Sequence, residues 1–254
     1  MTFWLGVVAG GVPVAAQVNL AEPPAPEDKP SRVSRLQGTV SIDRRTEVLG
    51  ATVLVHLEGD ESKLYLTSTG EDGVFRVDGL PDGQYAVDIN RPGFAPLSKN
   101  AVTMRYPFRA VVEVKMTPVD PASTMLSGYP GDDSGTVHTV SVHGKVVSRG
   151  EGPVDEVDLR FIRPGGGRDP RAWRTDVDGN FRIDAEAGVW RLEVVGVGYL
   201  PVWTWIDFQE DTELSVQLVP QPPDYRPTLF ELLPAEVPVP PVGWEQRGLR
   251  RGLE

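Results

Sequence analysis

The 254-residue chain contains no cysteine. Disulfides, thiolate metal sites, thiol catalysis and Cys-anchored lipids are excluded, so stability must come from burial and strand pairing. Histidine is nearly as scarce, with only His56, His138 and His143. No His-Glu-x-x-His motif occurs, and the step from His138 to His143 is not the i, i+4 spacing that sets two imidazoles on one helix face. Zinc hydrolysis is therefore unsupported. A Gly-x-Ser-x-Gly elbow and a phosphate-binding P-loop are also missing. Positive charge is in deficit: 25 Lys and Arg stand against 36 Asp and Glu, for a net charge of −11. The densest basic group is the short "RGLRRGLE" at 247–254. A general nucleic-acid binder needs clustered cations against phosphate, so that class is set aside. The longest apolar stretch, Phe3 to Ala16, is too short for a comfortable membrane span.

What is present points one way. The chain has 27 Gly and 24 Pro, 40% apolar and 24% charged residues, abundant Val and few helix-favouring runs. That composition supports packed, all-β domains with many turns. The apolar N-terminus ends in Val14-Ala15-Ala16, small residues that suit signal-peptide cleavage before Gln17. No Lys or Arg precedes the apolar run, and an N-terminal strand is the alternative to an export signal. Next comes a Pro-rich, charged linker, "LAEPPAPEDKPSR".

From Leu36 on, one pattern occurs twice. "TGEDGVFRVDGLPDGQYAVDINRPGFAP" runs from Thr69 to Pro96, and "TDVDGNFRIDAEAGVWRLEVVGVGYLP" from Thr175 to Pro201. Asp72-Gly73 aligns with Asp178-Gly179, Phe75 with Phe181 and Arg76 with Arg182, at an offset of 106. After a one-residue deletion Tyr85 aligns with Trp190, Val87 with Leu192, Gly93 with Gly198 and Phe94 with Tyr199. "LQGTV" at Leu36 and "VHGKV" at Val142 open the copies alike. An internal duplication is the strongest organisational signal in the chain.

The Asp-x-Asp-Gly of "TDVDGNFRI" could begin a calcium loop. The first copy has Gly70 where the second has Asp176, however, and no closing Glu follows. Asp-Gly instead suits the tight turn of a β-hairpin. Beyond it, Tyr85, Val87 and Ile89, like Trp190, Leu192 and Val194, alternate as one buried strand face. The two aromatics are thus expected in cores.

These residues resemble the carboxypeptidase regulatory-like domain, a transthyretin-like family. The resemblance rests on Asp72-Gly73-x-Phe75, Gly79-Leu80-Pro81-x-Gly83-x-Tyr85-x-Val87 and Gly93-Phe94 in the first copy. In the second it rests on Thr175, Asp178-Gly179-x-Phe181, Gly188-x-Trp190-x-Leu192 and Gly198-Tyr199, with Asp184-Ala185-Glu186 in place of Gly-Leu-Pro. It implies two tandem seven-stranded antiparallel transthyretin/Ig-like sandwiches and a Pro-rich C-terminal tail. It also implies no catalytic residues, because such domains accompany peptidases, receptors and secreted proteins as structural or binding modules. The expected organisation is a signal peptide at 1–16, a linker at 17–35, sandwiches at 36–119 and 140–220 with a linker at 120–139 between them, and a tail at 221–254. Strands are expected near 36–43, 50–58, 63–69, 74–78, 84–90, 100–105 and 109–117. In the second copy they are expected near 140–148, 154–162, 171–176, 180–184, 189–195, 201–208 and 212–219.

Two segments carry functional expectations. In "YLPVWTWIDFQ", alternation sets Trp203, Trp205 and Asp207 on one strand face and Val202, Thr204, Ile206 and Phe208 on the other. Facing outward, the indoles would form a platform for a sugar or a partner. Facing inward, they would fill the core or lie beneath the tail, the somewhat better-supported alternative. The tail supplies Tyr225, Leu229, Phe230 and Trp244 as docking residues on a pre-extended chain. "RPGGGRDP" at 163–170 reads as a flexible hairpin loop rather than an anion cradle. The expected protein is exported, non-catalytic and without metal or cofactor. Its expected partner is another envelope or secreted protein, with a glycan or a separate peptidase as alternatives, and neither nucleic acid nor a membrane span in the mature chain.

Overall fold

The structure, a computed structural model, describes residues 33–119, 138–163 and 171–227. The expected signal peptide, residues 120–137 of the linker expected at 120–139 and the tail beyond Pro227 lie outside the described residues, and Thr139 already belongs to a strand. Among those described there are strands and no helices. In the first unit they are β1 (Ser34–Ser41), β2 (Thr52–Leu57), β3 (Asp60–Ser68), β4 (Val74–Leu80), β5 (Gly83–Asn90), β6 (Leu97–Met104) and β7 (Arg109–Lys115). In the second they are β8 (Thr139–Ser148), a short β9 (Gly152–Pro153), β10 (Asp158–Ile162), β11 (Arg171–Arg174), β12 (Asn180–Glu186), β13 (Gly188–Val195), β14 (Val202–Phe208) and β15 (Thr212–Leu218).

Each unit is a sandwich of a three-stranded and a four-stranded layer. The first has β4-β1-β7 and β3-β2-β5-β6; the second repeats this as β12-β8-β15 and β11-β10-β13-β14. Not every pair is antiparallel, as the resemblance implied. β1 runs parallel to β7, and β8 parallel to β15. The reason is parity: leaving aside the short β9, each link reverses the chain, so the first and seventh strands of a sandwich point the same way and can only pair in parallel.

The same contacts hold both units in shape. Thr69 Oγ1 accepts from Ala51 N and donates to Val48 O, while Thr175 Oγ1 accepts from Val157 N and donates to Val154 O. All three atoms recur at the offset of 106. The core aromatics match too: Tyr85 OH donates to Pro81 O at 3.1 Å, and Trp190 Nε1 to Glu186 O at 2.8 Å. Their rings are buried, so the expectation of core aromatics agrees with the structure, and each polar tip reaches a carbonyl four residues back.

The Asp-Gly segments are turns but not hairpins. β3 and β4 lie in different layers, as do β11 and β12, so each turn carries the chain across the sandwich. Gly73 and Gly179 take φ of 65° and 75°, and an added Cβ would meet Val40 O at 2.6 Å or Val146 O at 2.4 Å. Glycine is required there by conformation and by contact. Asp176 Oδ1 accepts the backbone N–H of Asp178 and of Asn180, so this carboxylate caps its own turn. Among the described residues no group of three His, Cys, Asp or Glu side chains converges on a metal position.

The two sandwiches are not beads on a string. The last strand of the second, β15, pairs parallel with the edge strand β3 of the first, with Leu214 opposite Leu64 and Val216 opposite Leu66. The ladder continues as β12-β8-β15-β3-β2-β5-β6, one sheet shared by both units. Leu54, Leu64 and Leu66 of the first unit accordingly belong to the second unit's core, beside Phe161, Trp190 and Phe208. Burying such side chains is worth about 1.5–3 kcal/mol each.

Candidate functional site

The junction is where the fold departs most from two independent domains. Its sequence cause is visible in β2. A strand with one wet face alternates, as β10 does with Asp158, Leu159, Arg160 and Phe161. β2 reads Thr52-Val53-Leu54-Val55 with no charged position, and all four are buried. Val53 and Val55 fill their own sandwich, whereas Leu54 faces the second unit.

Polar contacts fasten the seam. Arg149, just after β8, reaches into the first unit and donates to Ser68 O at 2.9 Å and Val74 O at 3.3 Å. Burial pushes its guanidinium below the ordinary arginine range. The first-copy Gly70 makes room for it, since a Cβ there would lie 3.2 Å from Arg149 Nη1. Thr67 Oγ1 donates to Gln217 O, Trp203 N donates to Thr52 Oγ1, and Lys63 pairs with Glu213 at 2.9 Å.

Beside the seam, β14 overhangs the outer face of β2, β5 and β6, leaving a cleft of about 280 Å³. His56, Asp88 and Asn90 line one wall, and Thr204, Trp205 and Asp207 the other. His56 Nε2 lies 3.4 Å from Asp88 Oδ2, and Ser98 Oγ donates to the same carboxylate. The hydrogen bond that His56 donates to Asp88 raises the imidazole pKa above its ordinary value, against the opposing effect of burial. The three residue types match a hydrolytic triad, but the order does not. The carboxylate sits in the middle and takes the serine proton, whereas a nucleophilic hydroxyl must donate to the imidazole. The arrangement favours the charged form of the imidazole and turns the serine hydroxyl toward the carboxylate instead.

The sequence placed Trp203, Trp205 and Asp207 on one face, and the burial pattern of β14 keeps Val202, Ile206 and Phe208 in the core opposite. An exposed two-indole platform does not result. Trp205 is only 4% exposed and packs with Ile162 and Val189. Trp203 is half-buried beneath the Arg191 guanidinium, 4.7 Å from its ring centroid. Arg191 pairs with Glu193 at 2.7 Å, and burial lowers its pKa while Glu193 opposes that. The physical reason is that alternation assigns a face without saying what covers it. Asp207, half-buried, accepts from Gln209 Nε2 at 2.7 Å.

The tail divides in two. Gln221 is tied back to the second sandwich, its N–H to Gly198 O and its Nε2 to Tyr199 O. Tyr225 is half-buried, its N–H donating to Pro222 O at 3.0 Å. Leu229, Phe230 and Trp244 lie outside the described residues. Sequence reasoning missed His56, Asp88 and Arg149. The unbroken apolar run of β2 was the available sign that something covers this face.

Residues 35–117, spanning β1 to β7, match the family model of the carboxypeptidase regulatory-like domain. No curated protein matches the sequence. Among solved structures, the chain is similar to the Bacillus anthracis TIE protein at 18% identity, covering 74% of this chain and 34% of that one, with a TM-score of 0.30. It is also similar to a streptococcal ancillary pilin at 14% identity, covering 76% and 64% with a TM-score of 0.29. The minor pilin GBS52 of Streptococcus agalactiae is similar at 14% identity, covering 77% and 99% with a TM-score of 0.29. The chain thus spans about a third of the first of these and less than two thirds of the second.

Proposed function

We propose that the chain is a non-catalytic, exported structural or protein-interaction module that presents two carboxypeptidase regulatory-like sandwiches as one unit within an envelope or secreted assembly. The observation that carries this reading is the β15–β3 ladder. Strand pairing and a shared core resist bending between the sandwiches in a way that a flexible tether does not. The contacts that recur at the offset of 106 support treating the second sandwich as a diverged copy of the first. Among the described residues no helix is long and apolar enough to cross a membrane, which leaves β-barrel spanning unaddressed. The tail past Pro227 is the docking segment in this reading, with Leu229, Phe230 and Trp244 as its apolar anchors.

The test is capture from the native envelope by the full chain and by a chain ending at Pro227. Ending there keeps the Gln221 contacts that a cut after Val219 would remove. A polypeptide held only by the full chain supports the assembly role. Equal capture of a glycan fraction by both chains, lost on Asp207→Ala, would move the function to the cleft. The family match over the first sandwich favours a second reading, an accessory to a separate peptidase. Recovery of a peptidase as the captured polypeptide would select it.

A further inference from the structure

β15 and β7 hold the same place in their sandwiches, at the edge of the three-stranded layer. β15 is covered by β3, whereas β7 pairs only with β1 among the described residues. Gly38 aligns with Gly144, and the ladders set Val112 opposite Gly38 and Leu214 opposite Gly144, so Val111 occupies the position of Glu213. Glu213 meets Lys63 across the seam. Val111 is instead 60% exposed, and the approach to β7 adds Tyr106 at 48% and Phe108 at 67%. A seven-residue edge with an exposed valine within it is what soluble sheets avoid unless something pairs with it.

We propose that β7 is a self-association edge, paired antiparallel with β7 of a second copy across a two-fold axis centred on Val111. The outward residues of β7 are Arg109, Val111, Glu113 and Lys115, with Val112 and Val114 turned into the core. In this register Val111 faces its symmetry mate, and Arg109 and Glu113 each face the other residue of the second copy. Two opposite-charge pairs then flank one apolar pair on the same sheet face. Centring on Val112 would set Arg109 against Lys115, and centring on Glu113 would set two carboxylates together. Centring on Ala110 leaves Glu113 without its arginine. Centring on Val114 would pair Glu113 with Lys115 but overlaps only three residues of the strand, so charge and overlap together favour the Val111 register, an isologous contact that closes at a dimer. Head-to-tail growth through β11, the counterpart of β3, lacks the same support. Ala172 stands where β3 has Leu66, and Arg174, paired with Asp158, stands where β3 has Ser68.

The absence of cysteine makes the test clean. Sedimentation velocity of the full chain over a range of concentrations should show a monomer–dimer equilibrium. R109E and E113R, each placing like charges opposite, should lose the dimer, and the double variant R109E/E113R should regain it. V111C should form a disulfide-linked dimer on mild oxidation much faster than V197C, whose thiol would be more exposed but remote from the axis. The proposal is overturned by a wild-type chain that stays monomeric, by single variants that dimerise unchanged, or by species growing past the dimer. A double variant that melts like wild type yet stays monomeric also overturns it. The charge swap needs no core change, so loss and recovery cannot be attributed to unfolding.

Discussion

Leu66 lies on the face of β3 that points away from its own sandwich, and it is 1% exposed. If the two sandwiches folded independently, this would be a surface position, and replacing it would change stability by no more than about 0.5 kcal/mol. In the fused architecture Leu66 belongs to the second unit's core, opposite Val216. Leu66→Ala then removes three buried carbons and leaves a cavity, a change that costs about 2–5 kcal/mol. For a unit the size of 32–254 the midpoint of thermal unfolding falls by roughly 2–4 °C per kcal/mol, so about 3 kcal/mol gives a drop of about 6–12 °C. The reporter is decisive. Trp173, Trp190, Trp203 and Trp205 all lie in the second sandwich; Trp4 and Trp244 are outside the described residues. Tryptophan fluorescence should therefore register a substitution made in the first sandwich, with circular dichroism shifting by the same amount in one transition. A fluorescence midpoint that stays in place while dichroism shows a separate early phase would refute the shared core.

Three further outcomes are expected. Gly144→Ala would set a Cβ 1.8 Å from Leu214 O, so β8 and β15 must part, at a cost of at least about 2 kcal/mol in urea unfolding. Gly38→Ala should cost less, because its tightest contact is the far edge of the Phe75 ring. Thr69→Val and Thr175→Val each remove one accepted and one donated bond at a buried site and should cost similar amounts, about 1–3 kcal/mol. Unequal losses would show that the two caps are not equivalent. The pKa of His56 is raised on folding, so its pairing with Asp88 contributes stability that is fully present below the unfolded value of 6.5 and is lost as pH rises through the folded value. Wild type should lose more stability than His56→Gln between mildly acid and mildly alkaline pH, and parallel melting curves across that window would rule the linkage out.

How much of this was legible depends on which interactions carry it. The Phe75–Val77 and Phe181–Ile183 pairs, the Asp-Gly turns and the aromatic strands were readable because each is encoded locally, by alternation or by a residue that only one backbone conformation suits. The same locality explains the misreading of the turns as hairpins. A turn's residues fix its bend, but whether the next strand joins the same layer is decided by partners far along the chain. Trp205 shows the limit for the site: its face was correct, its cover was not written in its neighbours. β2 lies between these cases, since its apolar Val53-Leu54-Val55 run implied a second cover without naming it.

By itself, then, the sequence determined an all-β chain, the buried face of the strands that carry Tyr85 and Trp190 and the exclusion of thiol chemistry, because side-chain pattern and composition act within a few residues. Only the tertiary structure decided that β15 meets β3, that Arg149 crosses between the units and that β7 is an edge among the described residues. Those outcomes rest on backbone groups, which are the same in every residue and take whatever partner the packed layers bring within reach.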